Sequence, residues 1–202
     1  MKIVFATSNE GKMKEIRSIM AEYGFDVVSM KEMGLNLDIE ENGSSFEENA
    51  IIKAKAVMEA VNQVVMADDS GLEVDFINKE PGIYSARYMG EGTPQSKKNK
   101  SIIDRLHNAE DNERKARFVC AIACAFPDGR VITTRGEVEG QIAFEEKGNN
   151  GFGYDPILFI PEYGLTMAEM TSDQKNKISH RFKALRLMGE QIRENINSKR
   201  YT

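Results

Sequence analysis

The 202-residue chain carries 27 Lys and Arg against 32 Asp and Glu, a formal net charge of −5, with 41% hydrophobic and 29% charged residues. That balance fits a globular protein, in one domain or two joined lobes; it excludes a disordered chain and argues against broad nucleic-acid binding, though a local cationic pocket stays compatible with it. No run approaches the ~20 apolar residues of a membrane span, and the apolar run after Met1-Lys2 is too short for a secretory core, so a cytoplasmic protein with no membrane partner is expected.

That first run, Ile3-Val4-Phe5-Ala6, reads as a strand feeding the polar turn Thr7-Ser8-Asn9-Glu10-Gly11-Lys12. A P-loop is excluded, because its first glycine is replaced by Ala6 and its metal-ligating hydroxyl by Met13. Two readings stay open: hydroxyl, amide, ammonium and helix N-terminal N–H groups form an anion site, or Ser8 or Asn9 caps the following helix. Met13, Ile16, Ile19 and Met20 repeat at helical spacing, Gly24 is a stop, and Phe25 to Met30 is a second strand, giving a β-α-β start. After an acidic loop, residues 45–61 present an apolar face from Phe46, Ala50, Ile51, Ala54, Val57, Met58 and Val61, with Ser45 and Glu48 at capping-box spacing.

A short apolar strand then runs into Asp68-Asp69-Ser70-Gly71, and strand character resumes at Leu72. Two adjacent carboxylates at a strand end repel unless a cation or donor neutralises them, and Mg²⁺ bound with phosphate oxygens is an economical neutraliser. The competing reading is an Asx-turn that only reverses the chain. Glu40 and Glu41 either complete a metal site or form a solvated run, and Glu48 is explained by capping.

A helix follows through Ile102, Ile103 and Leu106, then a long antiparallel hairpin turning at Pro127-Asp128-Gly129. Cys120 and Cys124 lie on its first strand, about 13 Å apart if extended, which excludes a disulfide and makes them core residues. The loop Gly151-Phe152-Gly153-Tyr154-Asp155-Pro156 offers rings for stacking and a carboxylate acceptor. Lys175, Lys177, His180 and Arg181 gather near the start of a last helix with the stripe Phe182, Leu185, Met188, Ile192 and Ile196. Helices alternating with strands indicate an α/β protein with a mixed sheet.

Six segments occurring in this order, TSNEGK (7–12), FEENAIIKA (46–54), ADDSGL (67–72), PGIYSARY (81–88), GFGYDP (151–156) and ISHR (178–181), span nearly the whole chain. Together they resemble the inosine/xanthosine triphosphate pyrophosphatase family. The resemblance implies one domain over residues 1–202, a twisted mixed sheet with flanking helices and two lobes around a central nucleotide cleft. It implies a homodimer that hydrolyses ITP, dITP and XTP to the monophosphate and pyrophosphate with Mg²⁺. Residue by residue, it makes Thr7, Ser8, Asn9, Glu10, Gly11 and Lys12 the triphosphate site, with Lys53 adding phosphate charge. Asp69 becomes general base and metal contact, Glu40 the other metal carboxylate, and Ser70 a substrate contact. Phe152, Gly153, Tyr154, Asp155, Lys175, His180 and Arg181 hold the nucleoside. The sequence departs from the family's pattern at Asn149-Asn150 and at Glu47.

The expected chemistry is attack of water on the α-phosphorus, aligned and deprotonated by Asp69, without a protein nucleophile. His180, Arg181 and loop N–H groups aimed at a 6-oxo purine would reject adenine, with Arg181 spanning part of that edge. A non-catalytic purine-nucleotide regulator and a phosphotransferase are the rivals. Release of pyrophosphate separates hydrolysis at the α-phosphorus from both.

Overall fold

The computed structural model describes residues 1–7 and 10–198, with side chains as far as residue 195. Ser8, Asn9 and the Ile196 side chain therefore lie outside the described residues. The strands are β1 (Lys2–Phe5), β2 (Asp26–Ser29), β3 (Val65–Val74), β4 (Lys115–Ala125), β5 (Val131–Ile142), β6 (Leu158–Ile160) and β7 (Leu165–Thr166). The helices are α1 (Glu10–Ala21), α2 (Phe46–Val61), α3 (Gln95–Arg105), α4 (Ser172–Ile178) and α5 (His180–Ser198). One seven-stranded sheet runs in the order β2-β1-β3-β4-β5-β6-β7. It is mixed, as expected: β1 pairs parallel with β2 and β3, whereas β6 pairs antiparallel with β5 and β7.

The chain divides into two compact units, crossing from one to the other at Asp69–Ser70, Val119–Cys120, Gly136–Glu137 and His180–Arg181. In the first unit, strand alternation sorts the apolar side chains into two cores. Ile3, Phe5, Met66, Cys120, Ile122 and Cys124 point to one face and are covered by Met13, Ile16 and Met20 of α1 and Leu185, Met188 and Ile192 of α5. Val4, Val65, Ala67, Ala123 and Ala125 point to the other, under Ala50, Ala54 and Val57 of α2. The second unit has a core of Leu72, Val74, Ile102, Leu106, Phe118, Val138, Tyr154, Ile157 and Met167. Both cysteines are buried and free, as expected, and burial pushes each thiol up to about 12.

Three local expectations are corrected. The Asp-Ser-Gly segment is no turn, because β3 runs unbroken from Val65 to Val74. β3 lies between β1 and β4 in the sheet, β1 pairing with its start at Val65 and Met66, and Ser85, in the short 3-10 turn Gly82–Arg87, supports the strand just beyond the segment: Leu72 N–H donates to Ser85 Oγ at 2.9 Å, and that hydroxyl donates to Gly82 O at 2.6 Å. At α2 the capping box is displaced by one residue. Ser45 Oγ accepts from Glu48 N–H at 3.1 Å, but the Glu48 carboxylate takes the N–H and hydroxyl of Ser44, both at 2.7 Å. The last helix starts at His180, and Lys175 and Lys177 lie instead on a separate short helix, α4, cut off where Ser179 takes an extended conformation (φ −61°, ψ 143°). The sequence signal for α4 is the Thr171-x-x-Gln174 capping box, which forms reciprocally.

Gly71 shows why β3 tolerates a glycine in mid-strand: a Cβ there would overlap Ser85 Oγ and Gly82 O. Gly71→Ala should therefore cost about 1–3 kcal/mol through overpacking, read as a melting temperature lowered by several degrees. An unchanged midpoint would show that the Gly82–Arg87 turn yields freely.

Candidate active site

Because neighbouring residues on a strand face opposite ways, Asp68 and Asp69 do not share one place. Asp68 shares the face of Met66, towards α1 and α5; Asp69 shares the face of Ala67, towards α2. Asp68 is 2% exposed, and its Oδ2 accepts from Lys12 Nζ at 3.0 Å and lies 3.6 Å from Arg181 Nε. Burial alone would raise its pKa, but Lys12 and Arg181 hold the carboxyl well below the usual range. The negative charge at Asp68 is thus neutralised by the chain's own cations, and the argument for a metal from two clustered carboxylates falls away.

Lys12, expected to stand ready for phosphate, is partly buried in this pair, its side chain 23% exposed. Arg181 is 4% exposed, with Nη1 donating to Glu15 Oε2 at 3.0 Å. Its fork is turned to carboxylates on α1 and β3, contrary to the expectation that it spans a base edge. Thr7 N–H donates to Phe5 O at 2.8 Å as the chain leaves β1, while Glu10 and Gly11 are exposed on the first turn of α1.

Asp69 is ringed by a different set. Its Oδ2 accepts from Asn49 Nδ2 at 3.0 Å, and its Oδ1 lies 3.9 Å from Lys53 Nζ. Lys53 also pairs with Glu41 at 2.8 Å. Burial dominates and raises the Asp69 pKa above the ordinary carboxylate value, against the lowering pull of Lys53 and Asn49. The acidic loop therefore reaches this group through Glu41, whereas Glu40 is exposed. Lys53 lies within reach of two carboxylates, and that is where hard oxygen donors would accept a divalent cation. Among the described residues no cluster of three or more His, Cys, Asp or Glu side chains has metal-binding spacing.

In the second unit, the Gly151–Pro156 loop is held by its own polar groups. Asp155 is 3% exposed and accepts from Phe152 N–H at 2.8 Å and from Lys175 Nζ of α4. Gly151 takes φ +79°, and a side chain there would strike the Asp155 carboxylate. Lys175 lies 4.9 Å from the centroid of Phe152, whose ring is 63% exposed. Tyr154 is instead a core residue whose hydroxyl donates to Ser85 O at 2.8 Å, which leaves Phe152 as the exposed ring of the loop. His180 is buried against Phe118, ring centroids 5.1 Å apart. The two departures are local. Asn150 ties its loop down through N–H to Ala168 O and Nδ2 to Met170 O, and Glu47 forms a partly exposed pair with Arg135 at 2.9 Å.

Sequence reasoning missed Asn49 and Glu15 as partners of the candidate residues, whereas Glu41 was named with Glu40 as a group that could complete the site. Asn49 had a signal, since it stands in the apolar stripe of α2 between Phe46 and Ala50, fully buried. A lone amide on such a face requires polar partners. Glu15 looks like an ordinary surface acid in the sequence.

The profile of the Ham1 family matches residues 3–191. A dITP/XTP pyrophosphatase of Bacillus subtilis is 48% identical over 187 residues, covering 93% of this chain and 94% of the relative. One from Clostridium perfringens is 45% identical over 201 residues, covering 96% and 97%. The solved structure of the Staphylococcus aureus Ham1 protein superposes with a TM-score of 0.88 at 42% identity, covering 96% of this chain and all of that one.

Asp68→Asn should destabilise the fold by about 3–5 kcal/mol, because it leaves the buried Arg181 guanidinium with an incomplete set of counter-charges. Chemical denaturation checks this. A loss below about 1 kcal/mol would show that Glu15 alone balances Arg181.

Proposed function

Since this chain belongs to the Ham1 family, we propose that it hydrolyses the deaminated purine nucleotides dITP, ITP and XTP to the monophosphate and pyrophosphate. The observation that carries the reading is Asp69, a part-buried carboxylate with raised proton affinity, one oxygen fixed by an amide and the other facing a lysine. Such a group is a better proton acceptor than an ordinary solvated carboxylate. It orients a water in line with the α-phosphorus and takes its proton as the bond to phosphorus forms, while pyrophosphate leaves.

Phosphoryl transfer asks little covalent help, so alignment and charge neutralisation supply most of the rate. Thr7 to Lys12 receive the triphosphate at the start of α1, where a phosphate oxygen competes with Asp68 for the Lys12 ammonium. Ser70 contacts the substrate beside Asp69. Phe152 stacks on the base, with Gly153, Lys175 and the loop N–H groups offering donors to a 6-oxo edge. Tyr154, Asp155 and His180 hold these groups in place. Arg181 acts through Asp68.

Mg²⁺ belongs to this proposal, held by Asp69 with the Glu40-Glu41 pair; it would neutralise charge on the departing pyrophosphate. What supports it is that Asp69 and Glu41 both lie near one cationic group, Lys53, whose place a cation could share. The homodimer and cytoplasmic action are part of the same reading. Exposed Tyr84 and Met89 provide apolar surface for self-association, and among the described residues no helix is long and apolar enough to cross a membrane. Sedimentation velocity reads the dimer.

Incubation with ITP, dITP or XTP and Mg²⁺ should release pyrophosphate and not orthophosphate, and ATP should be cleaved at least about a hundredfold less efficiently in kcat/KM. Asp69→Asn should keep the circular dichroism of the parent and lose at least about a hundredfold in turnover. Orthophosphate as the first product would replace this activity with γ-phosphate hydrolysis or transfer. Chelation by EDTA should abolish turnover, and added Mg²⁺ should restore it. Full activity in EDTA would remove the metal from the proposal.

A further inference from the structure

Asn49 occupies a place that neither packing nor helix formation explains. It lies on the buried face of α2 with no exposed surface, among Phe46, Ala50 and Ala54, where an apolar side chain would fill the space without needing hydrogen bonds. Both ends of its carboxamide are engaged. Gly43 N–H donates to Oδ1 at 2.8 Å, and Nδ2 donates to Asp69 Oδ2 at 3.0 Å. The first bond fixes which way the amide faces, because only the oxygen can accept from Gly43; the nitrogen must then point at Asp69.

Gly43 is adapted to this contact. A Cβ there would lie 2.7 Å from Glu48 Cβ and 2.8 Å from Asn49 Oδ1. The loop preceding α2 can therefore approach Asn49 only with a glycine at this position. A relay results, running from a backbone N–H in the acidic loop, through an amide on a rigid helix, to one oxygen of the strand carboxylate.

We propose that Asn49 is a positioning residue for the hydrolysis: held in one orientation by Gly43, it fixes the rotation of the Asp69 carboxylate and turns Oδ1 to the attacking water. This rests on the pyrophosphatase reading above. The hydrogen bond from a buried, immobile amide favours one rotation of the carboxylate about its last bond, a restraint that a flexible lysine at 3.9 Å does not match. Loss of that restraint misplaces the acceptor by a fraction of its own length, and such errors cost on the order of a hundredfold in rate. Binding of the triphosphate and of the base uses other residues, so the effect falls on kcat.

The test is a double-mutant cycle with ITP as substrate. Asn49→Ala should lower kcat by about ten- to a hundredfold with KM changed less than about threefold, and in the Asp69→Asn background it should cost no further activity. Gly43→Ala, which leaves every side-chain donor in place, should reproduce the kcat loss in weaker form and guards against an Asn49 variant that fails to fold. Unchanged kcat in both folded variants would overturn the inference. So would an equal fractional loss with and without Asp69, which marks a structural role alone. The unmutated chain separates this from the activity itself: a parent that releases no pyrophosphate from ITP overturns the pyrophosphatase reading and the inference with it, whereas an active parent with indifferent Asn49 and Gly43 variants overturns only the inference.

Discussion

The buried contact of Asp68 with Lys12 and Arg181 is the constraint on which the first unit depends. Three elements distant in sequence, α1, β3 and α5, each place one charge at this point, Asp68 and Arg181 almost without solvent and Lys12 partly buried. Burying these charges costs several kcal/mol each, and their attraction repays it only when the geometry is complete. A well-packed apolar trio would give comparable stability. The ion cluster supplies register instead: a slip of β3 by one residue would put Asp68 against α2, and Asp69, whose own partners Asn49 and Lys53 lie on that helix, against Arg181.

The same alternation divides the labour of the two aspartates. Asp68 meets two cations, is held ionised, and therefore has little tendency to take a proton. Asp69 meets an amide and one lysine at 3.9 Å, which another carboxylate shares, so burial prevails and its proton affinity rises. Adjacent, identical side chains acquire different chemistry because a strand sends them into different surroundings. The lysine nearest each follows the same division, with Lys12 bound to the ionised carboxylate and Lys53 shared.

Much of this was legible in the sequence. The apolar periods of α1 and α2 were unambiguous because each buries a single face, β4 stood out as a continuous apolar run because both its faces are buried, and the six motifs reached every candidate residue except Glu40 and Lys175. What could not be read was direction. In Met66-Ala67-Asp68-Asp69-Ser70-Gly71, the Asx-turn chemistry of Asp-Ser-Gly competes with strand pairing, and only the distant Ser85 hydroxyl and the neighbouring strands decide in favour of the strand. Arg181 was equally opaque. Its fork suits a base edge or a carboxylate, and the choice was made by Glu15, 166 positions away in the chain.

The second unit follows the opposite strategy with its aromatic loop. Asp155 and Lys175 satisfy one another and the loop backbone, and Tyr154 anchors to Ser85, so the loop's shape does not wait for a ligand. Phe152 alone remains largely exposed, with the Lys175 ammonium against its ring. Under the reading proposed above, that ring is the face on which a purine would lie. Because the polar groups beneath are already paired, a base settling on Phe152 would have little ordering left to pay for, and discrimination would fall on the donors at the ring's edge rather than on the stack, which accepts any purine.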